Sequence, residues 1–330
     1  MAFKEILGNS LVKKILKKAL QKDKVPNSML FCGPEGVGKK NMALELAKAL
    51  NCEKNKTDAC EECESCGAIN KGNFPDVMVI SPEKNVIKID QMRLVKQLSY
   101  LKPMRGKRRV FIVIEAEKMN EEAANSLLKI LEEPPFFSYI ILITHNLYVI
   151  LPTIKSRCQV LNFLPISKED IEKTLLERGY EDEKAKIISL LVRGNLKQAL
   201  SIEWEEIQMK RTQAWQLFIS LLKGEKTALF LRNYTSLART LVKEELGQIL
   251  EVLASFLRDF ILLKGEGDLR LLMNLDYREE IERAAGLLSL EESLDYLTKV
   301  DYAIYGLNNN LNVNLLISSF FSNFIGRDYV

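Results

Sequence analysis

Hydrophobic residues recur along the chain with two periods, which together predict an α/β unit followed by a helical region. Short, continuous apolar runs are typical of buried parallel strands, and they cover residues 28–32, 76–80, 110–114, 139–144 and 159–163. Apolar residues at helical spacing lie between them, in residues 11–20, 41–50, 90–101 and 120–131. This alternation predicts a mostly parallel sheet covered by helices on both faces.

After residue 165 the strand patterns stop and only helical patterns remain. Ser167 has a capping-box-like sequence that predicts a helix start, and Gly194 is predicted to end a helix of a small bundle. A longer all-helical region follows, with residues 308–316 in its predicted last helix. We therefore predict three domains, at 1–165, 166–206 and 207–330.

Composition narrows the class of protein. The chain has 330 residues with 47% hydrophobic residues, and a net charge of +3 does not indicate a generally basic protein that coats DNA. A basic turn at 105–109 fits either a solvated loop or a local contact with DNA phosphate. No signal peptide and no run of ~18 apolar residues is visible. We therefore expect a soluble, cytoplasmic protein without membrane contact.

A glycine-rich loop connects the first predicted strand to the next helix. Gly33, Gly36, Gly38 and Lys39 follow a phosphate-loop pattern, G-P-E-G-V-G-K, in the strand-to-helix context that the pattern requires. Glycines allow backbone N–H groups to surround phosphate oxygens, and the lysine reaches the terminal phosphates. The sequence thus indicates a nucleotide-binding loop, or the remnant of one.

Both usual contacts to Mg²⁺ are missing from this loop and its neighbouring strand. Lys40 occupies the position of the metal-binding Ser or Thr, and an ammonium has no lone pair to donate. Ile114 occupies the position of the acid that holds Mg²⁺ at the end of the strand, which leaves Glu115, or Glu117 two residues on. We expect no intrinsic Mg²⁺-dependent hydrolysis, and the pattern leaves open whether ATP or ADP binds.

Four cysteines lie within one short segment, at Cys52, Cys60, Cys63 and Cys66. Four thiolates at such spacing are typical of a closed structural Zn²⁺ site. An iron–sulfur cluster or no metal at all are the alternatives, and the short, charged segment favours zinc because it would shield a redox centre poorly. No nucleophile constellation surrounds His145, the only histidine, so the sequence assigns it no chemistry.

Four segments resemble the bacterial clamp-loader AAA+ family. They are the cysteine insert directly after the phosphate-loop helix (49–66), N-S-L-L-K-I-L-E-E-P-P (125–135), S-R-C (156–158) and G-N-L-K-Q-A-L (194–200). The resemblance implies an α/β AAA+ P-loop domain with a zinc module at 52–66, a helical lid and an all-α collar. It also implies a hetero-oligomeric ring with gamma/tau and delta subunits, which loads a sliding clamp onto primed DNA as part of the DNA polymerase holoenzyme.

The resemblance also assigns roles to single residues. Arg157 of S-R-C would be an arginine finger acting on the ATP site of a neighbouring subunit, where such a guanidinium is worth about 10³–10⁵ in rate; a structural ion pair is the alternative. Thr144 matches sensor 1, or is an ordinary strand-end hydroxyl. Lys197 replaces the usual sensor 2 arginine and lacks its bidentate fork.

Three functions therefore compete. The first is a non-motor clamp-loader subunit that scaffolds the ring and supplies Arg157, because the family's gamma/tau motors carry Thr and Asp where this chain has Lys40 and Ile114. The second is an active ATPase of the gamma/tau type, rescued by Glu115 or Glu117. The third is a zinc-dependent nucleic-acid-binding module.

Overall fold

The fold is that of a computed structural model, which describes residues 3, 5–55, 57–222, 239–284, 286–308, 311–313, 315, 316 and 319. The chain forms two compact units. The first joins Met1–Arg178 to Val192–Leu200, and the second joins Gly179–Leu191 to Ser201–Val330. The predicted three-domain division, with boundaries near 165 and 206, stays a prediction.

Five parallel strands form the centre of the first unit, which confirms the predicted fold class. They are β1 (Ser28–Cys32), β2 (Val77–Ile80), β3 (Arg109–Val113), β4 (Ser138–Thr144) and β5 (Gln159–Asn162). Their spatial order is β2-β3-β4-β1-β5, and every neighbouring pair is parallel. Because β3 and β4 are buried along their whole length, their inner residues, 110–113 and 139–143, are continuously apolar rather than alternating.

Thirteen α-helices lie in the described part of the chain. They are α1 (Ser10–Gln21), α2 (Lys39–Asn51), α3 (Glu64–Asn70), α4 (Ile89–Ser99), α5 (Glu121–Glu132), α6 (Pro152–Lys155), α7 (Lys168–Glu177), α8 (Asp182–Leu191), α9 (Leu196–Ser201), α10 (Trp204–Leu222), α11 (Arg239–Lys264), α12 (Arg278–Ala284) and α13 (Leu290–Asn308). Among these described helices, none combines the length and apolar character that crossing a bilayer requires.

Helices cover both faces of the sheet, as alternating α and β patterns predict. The apolar side chains of α1 and α2 pack on one face against Phe31 and Ile112, and those of α4 and α5 pack on the other face against Leu30 and Phe111. Neighbouring residues of a strand point to opposite faces, so each strand contributes to both cores. The carboxyl ends of β3, β4 and β1 therefore lie side by side at one edge of the sheet, where ligands bind in open α/β sheets.

The described residues of the second unit are helical, with two short 3-10 turns. Phe218 of α10, Phe256 and Phe260 of α11 and Val300 of α13 belong to one buried apolar cluster. The predicted collar is thus confirmed as an all-α region. Most of the predicted last helix, residues 308–316, lies outside the described residues or beyond the end of α13 at Asn308.

A buried arginine holds three elements of the second unit together. Arg211 of α10 is 1% exposed, and its guanidinium donates two hydrogen bonds to the Asp276 carboxylate, at 2.6 and 2.7 Å. Nη2 of Arg211 also donates to Oδ1 of Asn274, whose amide donates to Asp259 of α11 at 2.9 Å. Such a network fixes the relative position of the helices because each buried polar group depends on the others.

Candidate functional site

The glycine-rich loop lies between β1 and α2, at the edge where β1 and β4 end. Gly33 N donates to the carbonyl of Thr144, which ties the start of the loop to the end of β4. Gly36 and Gly38 have φ angles of 72° and 90°, which other residues rarely adopt. A Cβ at Gly33 would lie 2.3 Å from the carbonyl oxygen of Phe163, so side chains are excluded there by space as well.

Lys39, the lysine of the phosphate loop, is 8% exposed and bends back over the loop. Its Nζ donates to the carbonyl of Pro34 at 2.5 Å and to the carbonyl of Gly33. Burial lowers the pKa of Lys39, although nearby acidic groups act in the opposite direction. The carbonyls of the loop thus accept the hydrogen bonds that a phosphate would accept in a nucleotide complex.

Asn195 lies directly on the loop, a contact that the sequence did not predict. A Cβ placed on Gly36 would lie 1.6 Å from Oδ1 of Asn195, and this Oδ1 accepts a hydrogen bond from the backbone N–H of Gln198 at 3.0 Å. Asn195 therefore caps α9 while its side chain covers Gly36. Lys197, the predicted sensor 2 residue, lies on α9 and is exposed.

The acidic side of the site begins where β3 ends. Ile114 packs against the apolar core, so no carboxylate stands at this position. Glu115 has a left-handed backbone, with φ 53°, and pairs with Lys118 in the following 3-10 turn. Glu117 is the more buried acid, and its charge acts on both Lys39 and Cys32. Of the two acids that follow β3, Glu117 is therefore the one whose charge acts on Lys39 of the phosphate loop.

The two remaining predicted nucleotide contacts differ in exposure. Thr144, at the end of β4, is 1% exposed, and its hydroxyl both accepts from the N–H and donates to the carbonyl of Asn146, at 3.1 Å each. Its hydrogen bonds thus stay within its own turn. Lys40 is exposed on the first turn of α2, where its ammonium cannot replace a metal-binding hydroxyl.

Arg157 lies apart from this loop, just after α6. Its Nε donates to Oε2 of Glu132, the last residue of α5, at 2.9 Å, and its Nη1 donates to the carbonyl of Thr153 at 3.1 Å. The side chain is 31% exposed. Exposed ion pairs of this kind contribute only about 0–1 kcal/mol, so the pair with Glu132 does not account for Arg157 as a fold-stabilising residue.

The four cysteines converge, as their spacing predicts. Their Sγ atoms all lie within 4.8 Å of one another, and three of the four residues are buried. Backbone N–H groups of Asn55, Cys63 and Cys66 point at sulfurs of the cluster at 3.3–3.4 Å. Burial and the adjacent Cys63 raise the pKa of Cys66, so a thiolate there needs a cation. The donor set therefore fits a structural zinc ion.

The cysteine module is attached firmly to the end of α2. Lys48 of α2 is fully buried and pairs with Glu45 at 2.7 Å and with Glu61 of the module at 2.5 Å. Burial raises the pKa of Glu45 to about 7, whereas hydrogen bonds from Lys48 and Asn70, acting against burial, lower the pKa of Glu61 to about 2. Deprotonated Glu61 and protonated Lys48 thus form the ion pair that joins module and helix.

The basic turn at 105–109 contacts the same module. Lys107 donates to the carbonyl of Cys52 at 2.6 Å, and Arg105 pairs with Glu64. Arg109 is buried against Asp76 at 2.8 Å, and Arg108 donates to a carbonyl and lies near Asp23. All four cationic side chains therefore have partners within the chain. Their contacts join neighbouring elements of the structure, so the turn does not form a free phosphate-binding surface.

Comparison with known proteins gives matches along most of the chain. A family model described as DNA polymerase III, delta subunit, matches residues 8–167, and one described as DNA polymerase III, delta subunit, C terminal, matches residues 212–324. The DNA polymerase III subunit delta' of Bacillus subtilis (strain 168) is 29% identical over 310 residues, which cover 93% of each chain.

Two further relatives match about three fifths of the chain. The DNA polymerase III subunit delta' of Pseudomonas aeruginosa is 33% identical over 208 residues, or 61% of this chain and 63% of the relative. The DNA polymerase III subunit gamma of Buchnera aphidicola subsp. Schizaphis graminum is 32% identical over 208 residues, or 61% of this chain and 57% of the relative.

Proposed function

Because the chain belongs to the delta-prime family of DNA polymerase III, within the bacterial clamp-loader AAA+ proteins, we propose that it acts as a non-motor subunit of the clamp loader. In this role it scaffolds a hetero-oligomeric ring with gamma/tau and delta subunits and supplies Arg157 to the ATP site of its neighbour. The ring loads a sliding clamp onto primed DNA in the cytoplasm.

The observation that carries this proposal is the loss of both Mg²⁺ contacts from a loop that otherwise keeps its shape. Ile114 packs against the apolar core, and Lys40 offers a positive charge in place of a metal ligand. Without a bound Mg²⁺, the charge that develops on the transferred phosphoryl group is not neutralised. The pair of Glu115 with Lys118 weakens the motor alternative further, because one of the two acids that could replace the missing contact is already paired. The chain's own site is therefore silent, or holds a static ATP or ADP.

Arg157 supports the second part of the proposal. Its Nε donates to Glu132 and its Nη1 to the carbonyl of Thr153. Among the described residues Nη2 has no hydrogen-bond partner, which leaves it for a group of a neighbouring subunit. A fixed guanidinium presented in this way suits charge stabilisation in a neighbouring site. The zinc module contributes structure only, because its four ligands leave no open position. The internal partners of the basic turn speak against a zinc-dependent nucleic-acid-binding module.

The test is the steady-state ATPase rate of a reconstituted clamp loader that contains motor subunits, delta, clamp and primed DNA. We expect the isolated chain to be inactive and the wild-type chain to stimulate the ring. Arg157→Ala should abolish that stimulation while assembly, measured by gel filtration, stays intact. Arg93→Ala is the matched control, since Arg93 is an exposed arginine of the same unit whose partner within the described residues is Asp90. Vigorous hydrolysis by the isolated chain, or full stimulation by Arg157→Ala, would refute the proposal.

A further inference from the structure

Glu117 is a buried carboxylate that no hydrogen bond satisfies. Its side chain keeps 7% of its accessible surface, and neither oxygen accepts a hydrogen bond from the residues that the structure describes. Leaving a buried polar group unsatisfied costs about 1–3 kcal/mol, and more when the group is charged. A carboxylate kept in this state beside a phosphate loop calls for a cationic partner.

His145 faces this carboxylate from the next strand. Its Nδ1 lies 2.5 Å from Oε1 of Glu117, without the geometry of a hydrogen bond, and its side chain is 44% exposed. His145 follows the last residue of β4, and Glu117 lies in the 3-10 turn after β3, so the sheet order brings together two residues from separate parts of the sequence. The two groups therefore meet at the ligand-binding edge of the sheet.

Nδ1 and Oε1 are spaced almost as two ligands of one metal ion are. Metal–nitrogen and metal–oxygen bonds of about 2.1 Å at a right angle place the two ligand atoms about 3 Å apart. The pair thus needs to separate by only about half an ångström to admit a cation between its atoms. Lys39 does not fill this role, because its ammonium is directed at the carbonyls of Gly33 and Pro34.

We propose that Glu117 and His145 bind a divalent cation at the edge of the phosphate loop. An imidazole nitrogen combined with a carboxylate oxygen suits divalent transition ions, of which Mn²⁺ also accepts oxygen ligands readily, whereas Mg²⁺ prefers oxygen ligands alone. The site uses ligands that follow β3 and β4, so it does not depend on the two contacts that the chain lacks. Phosphate or water oxygens complete the coordination of the cation.

The test uses Mn²⁺ and electron paramagnetic resonance on the full, untagged chain with zinc in its cysteine site, since thiolates retain zinc against Mn²⁺. One Mn²⁺ should bind, and a large excess of Mg²⁺ should displace it poorly. Glu117→Gln and His145→Asn should each weaken binding at least about tenfold, the loss of one ligand. Glu122→Gln, an exposed acid on α5, should leave it unchanged.

A second readout does not depend on variants. Because His145 is the only histidine, protein labelled with [¹⁵N]histidine should show a ¹⁵N hyperfine coupling to bound Mn²⁺ that unlabelled protein lacks. Absence of Mn²⁺ binding to the wild type overturns the proposal, as does binding without this coupling. Equal binding by a folded Glu117→Gln variant, checked by its thermal melting curve, also overturns it and leaves the two residues as an internal ion pair.

Discussion

Gly36→Ala should destabilise the first unit by more than its backbone strain alone. A left-handed residue with a side chain costs roughly 1–2 kcal/mol relative to glycine. The new Cβ would also lie 1.6 Å from Oδ1 of Asn195, so that side chain must rotate away and release the N–H of Gln198. Loss of such a helix cap costs about 1 kcal/mol. The expected total is about 2–3 kcal/mol.

The chain offers a matched control for the strain. Gly72 has a φ of 71°, close to the 72° of Gly36, but a Cβ there would meet nothing within 4 Å. Gly72→Ala should therefore cost only the strain, about 1–2 kcal/mol. In an Asn195→Ala background, the destabilisation caused by Gly36→Ala should fall to the same value as that of Gly72→Ala, because both the obstructing amide and the helix cap are already gone.

Urea unfolding followed by circular dichroism measures these free energies, and hydrogen exchange of the Gln198 amide reports on the cap directly. We expect Gly36→Ala to speed that exchange and Gly72→Ala to leave it unchanged. If the effects of Gly36→Ala and Asn195→Ala add within about 0.5 kcal/mol, the two residues are not coupled, and the contact between Asn195 and the phosphate loop is refuted.

Three further results are expected. Arg211→Met should destabilise the second unit by about 2–4 kcal/mol, because the partly exposed Asp276 loses a buried partner; urea unfolding followed by the fluorescence of the α10 tryptophans measures this, and a loss below about 1 kcal/mol contradicts it. Removal of the metal by a chelator should release Arg105 and Lys107 from the cysteine module, so that trypsin cleaves after these residues roughly tenfold faster. Mass spectrometry measures the cleavage, and an unchanged rate would contradict the contact between the basic turn and the module. Cys158 should resist alkylation in folded protein at pH 8, since burial raises its pKa to about 12 and little thiolate forms below that pH; rapid labelling of its peptide would show the opposite.

The sequence was most informative where one local pattern decides the outcome. Five apolar runs became five parallel strands, and the spacing of Cys52 to Cys66 sufficed to predict a four-sulfur cluster. In both cases the signal lies within about twenty residues, the range over which strand burial and metal-ligand spacing act. The phosphate loop belongs to the same class, because its glycines are required by backbone angles within the loop itself.

Contacts between distant segments escaped prediction. Asn195 covers Gly36 from a distant part of the chain. His145 meets Glu117 because the sheet order places β4 beside β3. Nothing local in the sequence specifies that order. The sequence assigned no role to His145 because its partner, Glu117, lies in the turn after a different strand. The basic turn was likewise ambiguous, since a run of cations reads the same whether its partners are phosphates or the carbonyl of Cys52.

The helix α2 connects the phosphate loop to the cysteine cluster without a break. It begins at Lys39, ends at Asn51 and is followed directly by Cys52, the first cysteine of the cluster. Thirteen residues at 1.5 Å each make a rod of roughly 20 Å, and Lys48 and Lys107 fix its far end. A displacement of the phosphate loop must therefore either move α2 and the cysteine cluster at its end, or be limited to the loop itself. With cobalt bound to the cysteines, the absorption spectrum of the cluster would therefore report on displacement of the phosphate loop.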